Sequence, residues 1–529
     1  MTAPREDLLA STGVVGAMTL VSRITGLARD IAFSHWFGAG LLMDAFFVAF
    51  KIPNLLRRFF AEGAFSQAFV PVLSEYRSVR SPADVRALID RTAGTLTVVL
   101  FAVTAIGVVA APLLILVFAP GFGGGDGRQE LAVDMLRLTF PYLLFISLTA
   151  LAGGILNTYR RFAVPAFTPV LLNVVLIVFA AWIAPRFSQP GVGLAAGVLV
   201  AGIVQLAFQV PFLLKLGLLP PPRWQRVDPG VARVLRLMVP AVFGSSVAQI
   251  NLMLDTLIAS FLAAGSISWL YYSDRLMEFP LGVVGIAFAT VILPSLAEQH
   301  AQASRDAFGA TLDWALRWVL VVALPAALGL LLTAEPLLTT IFYGGVFTER
   351  DVAMSAASLR AFAPGLIGFI LVKVLASAYF ARHDTRTPVR IAVRALLLNL
   401  VLNVLFVTLL VGTDRAPPHA GLALATSLAG LFNGAMLLSG LVRAGIYRPR
   451  ARWRPLLAQV VAGCAVMSAY LVWVLGEAGD WLAMARGERL AWLGVCVLGG
   501  AAAYFAACFA AGLRPRALAQ GRSGLRSRD

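Results

Sequence analysis

Charge is scarce in this chain: 13% of its 529 residues are Asp, Glu, Lys or Arg, where a soluble chain carries roughly a quarter. That scarcity excludes the row of soluble domains that the length alone would suggest. Polar stretches between the apolar runs stay under about 20 residues, which leaves no room for a large soluble receptor or catalytic domain. Cysteine is limited to Cys464, Cys496 and Cys508, with no CxxC spacing; they read as small core residues, not as a disulfide framework or metal site. No GxxxxGK[ST] run is present, which argues against ATP hydrolysis by this chain. A membrane-embedded glycosyltransferase or polymerase would need a DxD pair for a metal-bound sugar nucleotide or a large loop for its active site, and neither is found. The four histidines, His35, His300, His383 and His419, are scattered and make no metal site. Lysine is nearly absent, and no basic stripe with interleaved aromatics asks for nucleic acid.

What is abundant is apolar surface. Hydrophobic residues make up 59% of the chain and the mean hydropathy is +0.83, the composition of a polytopic membrane protein. The opening MTAPREDLLA has neither the basic n-region nor the cleavage site of a signal peptide, so the first apolar segment is expected to be retained. Segments of membrane-crossing length number about fourteen. They lie near 9–37, 41–72, 92–118, 130–157, 164–185, 190–216, 233–263, 267–296, 307–333, 352–381, 389–412, 418–444, 455–476 and 487–512.

Arginine and lysine concentrate in alternate gaps, among them Arg77, Arg80, Arg86 and Arg91, then Arg160 and Arg161, then Lys215 to Arg236, then Arg443 to Arg454. Cytoplasmic loops carry such an excess, which places both termini in the cytoplasm and supports an even number of spans. The net charge of +16 fits the same pattern, with basic loops facing anionic lipid. The Arg-rich tail from Arg514 to Arg528 reads as a further anchor of this kind.

An internal repeat is visible. One register shift pairs Ala64 with Ala287, Phe65 with Phe288, Pro71 with Pro294, Glu75 with Glu298, Arg137 with Arg360, Pro141 with Pro364 and Pro165 with Pro388. The expectation is an all-α fold of two six-helix lobes, related by a pseudo-twofold axis along the membrane normal, plus two C-terminal helices. The boundaries are 1–220 for the first lobe, 221–447 for the second, 448–513 for the added helices and 514–529 for the basic tail.

A charge at the bilayer centre costs about 2.5 to 3.5 kcal/mol on insertion scales, so such residues usually face a partner or a water-filled cavity. They concentrate in three spans: Arg23, Arg29 and Asp30 in the first; Asp44, Lys51, Arg57, Arg58 and Glu62 in the second; Asp274, Arg275 and Glu278 in the eighth. Asp44, Lys51, Arg58 and Glu62 fall close to one helical stripe, and Arg23 shares a face with Asp30. Snorkelling at span ends is the plainer reading for any one of them, but it does not explain why three spans take most of the load. A hydrated cationic cavity for an anionic substrate does, and arginine suits it by staying charged and binding phosphate bidentately. Asp255, Asn399 and Asn403 form a second polar set. Their oxygens suit a hard cation such as sodium, or simply a hydrogen-bonded contact between helices.

The runs SRITGLARDIAF (22–33), DAFFVAFKIPNLLRRFFAEGAFSQAFVPVLSEY (44–76), ILNTYRRFAVPAFTPVLLN (155–173) and SWLYYSDRLMEFPLGVVGIAFATVILPSL (268–296) closely resemble the MurJ (MviN) family. That family belongs to the multidrug/oligosaccharidyl-lipid/polysaccharide exporter superfamily, and the resemblance covers essentially the whole chain. It implies a lipid II flippase of the bacterial inner membrane, acting in peptidoglycan biosynthesis, rather than an enzyme. The cargo would be an undecaprenyl-pyrophosphate-linked disaccharide pentapeptide, moved from the cytoplasmic to the periplasmic leaflet by alternating access. At matching positions it implies Arg23, Arg29, Arg57 and Arg275 as substrate-binding residues, with Asp30, Asp44, Glu62 and Glu278 as acidic or gating partners. Lipid II and membrane lipids are the implied partners, together with peptidoglycan-synthesis machinery; a monomer suffices and no cofactor is needed. A coupling ion, sodium or proton, or the membrane potential would supply the energy.

The physics agrees with this resemblance. A pyrophosphate bearing sugar and peptide cannot cross about 30 Å of hydrocarbon unaided, whereas its polyprenyl tail need never leave it. Gly38, Gly40, Gly265, Pro53, Pro141, Pro280, Pro325 and Pro364 are candidate bending points. Two rivals keep the fold: a flippase for another polyprenyl-pyrophosphate-linked polysaccharide, and a drug or ion antiporter, for which organic cations would favour an acidic cavity.

Overall fold

The computed structural model describes the backbone of residues 3–58, 64–221, 223, 228–282, 286–413, 416–449 and 453–514; the side chains at 3–12, 14, 64, 239–248, 286–291 and 478 fall outside the description. The described residues are helical apart from turns and one isolated β-bridge between Gly344 and Phe347. The chain divides into two compact units, Met1–Ser268 and Trp269–Asp529.

The first unit holds α1 (Ala3–Phe37), α2 (Leu41–Arg57), α3 (Ala64–Val79), α4 (Pro82–Val109), α5 (Ala111–Phe118), α6 (Arg128–Thr139), α7 (Tyr142–Thr158), α8 (Ala163–Val178), α9 (Pro190–Lys215) and α10 (Pro229–Ser260). Its starts and stops follow from local chemistry. Ser81 and Asp84 form a reciprocal capping box ahead of α4, with Pro82 in the first turn, where a missing N–H costs nothing. Gly38, in the left-handed region at φ 67°, ends α1. Helix α1 packs on α8, α8 and α7 on α9, α2 on α6, and α10 on α3. Small residues allow the closest approaches: a Cβ on Gly107 would lie 2.1 Å from the Phe140 ring, and one on Gly191 equally close to Met135.

Helix α11 (Ser266–Pro280) leads into the second unit, followed by α12 (Ile286–Ala301), α13 (Arg305–Leu332), α14 (Ala334–Phe342), α15 (Glu349–Phe362), α16 (Gly365–Phe380), α17 (Arg386–Leu410), α18 (Pro418–Arg443), α19 (Trp453–Ala478), α20 (Arg486–Gly494) and α21 (Gly500–Ala510). Helix α18 lies against α15, α16 and α17, while α13 touches α12, α16 and α19. The added pair α19 and α21 is bonded to α13 through Tyr504, whose hydroxyl donates to the Val321 carbonyl at 2.7 Å. Cys464, Cys496 and Cys508 are free and buried, as their spacing implied. The element order of the first unit recurs: α4–α5 then α6–α7 is matched by α13–α14 then α15–α16. The second break of each set falls at a proline, Pro141 or Pro364.

Among the described residues nine helices are long and apolar enough to cross a membrane, or ten if α15 and α16, bent by 44°, form one span. The segments 9–37, 41–72, 233–263 and 267–296 do not pass the same measure. Residues 59–63, between α2 and α3, and 283–285, between α11 and α12, lie outside the described residues. Helix α1 carries Arg23, Arg29 and Asp30, and part of α10 is not described. Three of these four segments are the ones that hold the intramembrane charges.

Candidate substrate-binding site

In the first unit the charged residues of α1 and α2 divide by how firmly they are held. Arg29 and Asp30 are buried, with 6% and 0% of their surface exposed. The Arg29 guanidinium donates from Nε and Nη2 to Asp30 Oδ1 at 3.0 and 2.7 Å, and from Nη1 to Asn173 Oδ1 at 3.1 Å. Asn173, on α8, turns its amide back to α1, donating to the Ser22 carbonyl and Thr25 Oγ1. Arg29 therefore joins α1 to α8. Arg23, two turns earlier, is half-buried and has no hydrogen-bond or ion-pair partner among the described residues. Among the described residues of α1, its guanidinium is available to an anion.

Asp44 is fully buried and accepts three hydrogen bonds, from the Gly265 N–H at 2.7 Å, the Ser268 N–H at 2.8 Å and Ser268 Oγ at 2.6 Å. It holds the turn after α10, where Gly265 takes φ 101°, a conformation that favours glycine. Lys51 Nζ donates to Thr256 Oγ1 of α10 at 2.5 Å. Arg57 is half-buried at the end of α2 and donates from Nε to Asn54 Oδ1 at 2.7 Å. Arg58 is exposed, and Glu62 lies outside the described residues.

In the second unit Arg275 is partly exposed on α11. It donates to Glu278 Oε2 at 2.9 Å and to the Tyr271 hydroxyl at 3.1 Å, with its guanidinium 5.5 Å from the Tyr271 ring. Glu278 is exposed, so this pair contributes little stability and positions the guanidinium rather than burying it. Asn399 and Asn403 are buried on α17; Asn403 donates to Asn399 Oδ1 at 2.9 Å, and Asn399 donates to Thr426 Oγ1 of α18 at 3.2 Å. Asp255, half-buried on α10, belongs to the first unit.

Several structural charges escaped the sequence reading. Asp313 on α13 is buried and accepts from the Tyr447 hydroxyl at 2.8 Å and Trp453 Nε1 at 2.9 Å, while Arg317 pairs with its other oxygen at 2.7 Å. The i,i+4 spacing of Asp313 and Arg317 inside an apolar span was the available signal. Asp351 caps α15 with Thr348 and also accepts from Trp269 Nε1 at 2.8 Å. Asn173 carried no signal, because nothing local ties an amide in α8 to an arginine in α1.

The profile of the family described as "Lipid II flippase MurJ" matches residues 33–485. The chain belongs to the MurJ family. A relative from Vibrio cholerae serotype O1 named "Probable lipid II flippase MurJ" is 46% identical over 96% of this chain and 97% of its own length. One from Burkholderia cenocepacia, named "Lipid II flippase MurJ", is 41% identical over 96% and 98%. Among solved structures, "Lipid II flippase MurJ, inward closed conformation" matches with a TM-score of 0.77 at 26% identity, covering 93% of this chain and 97% of that one. An inward-facing multidrug resistance MATE family transporter of the MOP superfamily matches with a TM-score of 0.66 at 13% identity, covering 82% and 98%, which shows a shared fold. Together with its membrane-length helices, membership of the MurJ family makes the chain a polytopic inner-membrane protein.

Proposed function

We propose that this chain is a transporter that flips lipid II, the polyprenyl-pyrophosphate-linked peptidoglycan precursor, from the cytoplasmic to the periplasmic leaflet. The observation that carries the reading is similarity over nearly the whole chain to relatives named for that activity. The site supports it in kind. Arg23 and Arg275, each partly exposed, carry guanidinium groups, the chemistry that grips a pyrophosphate, and Arg57 supplies a third. Arg29 keeps α1 in register on α8. Both termini are assigned to the cytoplasm by the arginine distribution of the loops, and alternating access would present the arginines to each leaflet in turn.

For energy we propose an ion or the membrane potential, with Asp255, Asn399 and Asn403 as the ion-binding candidates. Flipping that loses its sodium dependence in Asp255→Asn would support this; equal rates with and without sodium in the parent would remove sodium. The reading as a whole is tested in vesicles holding the purified protein and fluorescent lipid II, by the fraction of label that becomes accessible from the opposite face. The parent should move the lipid, and Arg23→Ala and Arg275→Ala should slow it at least tenfold. Equal accessibility in vesicles with and without protein would refute it.

A further inference from the structure

Helices α14 and α15 form a hairpin in the second unit. The bridge between Gly344 and Phe347 closes one end, and towards the other Arg360 Nη2 donates to Glu335 Oε2 at 3.0 Å. The hairpin buries four hydroxyl groups, those of Thr339 and Thr340 on α14 and of Ser355 and Ser358 on α15, each between 0% and 3% exposed. None of the four has a hydrogen-bond partner among the described residues. Elsewhere in the chain Thr149, Thr158, Thr168 and Ser377 donate to the carbonyl four residues back. A buried hydroxyl left without a partner is costly, and buried polar groups that find none in the protein are bonded to ordered water.

The internal repeat shows that the fold does not require these hydroxyls. The run EPLLTTIF (335–342) corresponds to APLLILVF (111–118), so Thr339 and Thr340 stand where the first unit has Ile115 and Leu116. In the register that pairs Arg360 with Arg137, Ser355 and Ser358 stand where it has Ala132 and Met135. The first unit fills all four places with hydrocarbon. In the second, Asp351, Ser355 and Ser358 share one face of α15. Asp351 is bonded to Thr348 and Trp269, and beyond Ser358, at the break before Pro364, the Ala361 and Phe362 carbonyls accept from Ser427 Oγ at 2.7 and 3.2 Å. The polar groups at both ends of this line are satisfied within the protein, and the hydroxyls between them are not.

We propose that ordered water molecules bind in the seam of this hairpin, to Thr339, Thr340, Ser355 and Ser358. Hydroxyls carry no charge and both donate and accept, which selects water over an ion. Leu338, Ala356 and Leu359 beside them are fully buried, which leaves no opening for a larger neutral ligand. Polar groups at membrane depth are tolerated where they meet protein or water, and the seam lies in the half of the α15–α16 span that precedes its 44° bend. The inference does not depend on the cargo.

The test exposes the full-length protein in detergent to X-ray pulses and reads side-chain oxidation by mass spectrometry. Radicals arise from bound water in place, so a buried side chain beside water is oxidised while an equally buried one in a dry core is not. Leu359, next to Ser358, and Leu136, its counterpart in the first unit, are both fully buried. The expected result is oxidation of Leu359 at least fivefold faster than Leu136, falling to within twofold when Thr339→Val, Thr340→Val, Ser355→Ala and Ser358→Ala are combined. Equal rates in the parent, which needs no variant to fold, overturn the proposal, as does a fast rate that survives the four substitutions. The melting temperature gives an independent reading. Removing a hydroxyl that has no partner should raise it, whereas removing one bonded to water should not; a higher melting temperature in Thr340→Val than in the parent therefore overturns the proposal, and an equal or lower one supports it.

Discussion

Three arginines, Arg23, Arg57 and Arg275, carry the proposed recognition of pyrophosphate and a fourth, Arg29, holds α1 on α8; their surroundings predict different costs of removal. Arg29→Ala would take the Arg29 guanidinium from the buried Asp30 carboxylate, and breaking a buried pair costs about 3 to 5 kcal/mol. Arg29→Ala is therefore expected to lower the melting temperature in detergent sharply as well as abolish flipping. Arg23→Ala, which breaks no hydrogen bond or ion pair among the described residues, should keep the parent's melting temperature and lose only transport. Equal melting temperatures for both variants would contradict the joining role of Arg29. At Asp228, burial pushes the pKa up, but the N–H groups of Val231 and Gly230 and the Arg91 guanidinium outweigh it and hold it below the ordinary 3.8. A depressed folded-state pKa contributes stability that is present above the unfolded value and lost as pH falls through the folded one. Asp228→Asn keeps a capping oxygen but loses the charge that faces Arg91 and the start of α10, so it should lower the melting temperature at neutral pH, an effect of about 0.3 to 1 kcal/mol. The difference from the parent should close only below about pH 4, and a difference that persisted unchanged into that range would count against the role of the charge.

At the scale of elements, glycines decide where helices touch. A Cβ on Gly368 of α16 would lie 2.4 Å from the Leu431 backbone nitrogen on α18, whereas one on Gly329 of α13 meets nothing within 4 Å. Gly368→Val is expected to reduce the yield of monodisperse protein in gel filtration severalfold, and Gly329→Ala to leave it unchanged; the reverse order would refute the packing. This scale also marks the limit of the sequence. Long apolar runs such as Pro82–Val109 and Arg386–Leu410 were legible because length and composition suffice to define a span. The breaks at Pro141 and Pro364 were legible because proline cannot complete a helix ladder. Asp44 stood out as a charge in an apolar segment, but its role as the holder of the Gly265–Ser268 turn needed the fold, since the partners lie more than two hundred positions apart.

At the scale of the molecule, family, fold class and cargo class were legible because specific runs, above all 44–76, cover the charged helices themselves. The repeat divides the chain at 220, and the compact units divide it at Ser268, with α10 held in the first unit by Arg91 at its cap Asp228, by Glu75 at Arg233 and by Gly121 at Ser260. The central claim is that this chain carries lipid II across the inner membrane on Arg23, Arg57 and Arg275. The most direct measurement is depletion of the protein in its own bacterium, with total lipid II and the fraction cleaved by an enzyme added to the periplasmic face followed in parallel. The account predicts rising total and falling accessible lipid II, restored by the parent and not by Arg275→Ala; unchanged accessibility on depletion, or full restoration by Arg275→Ala, would contradict it.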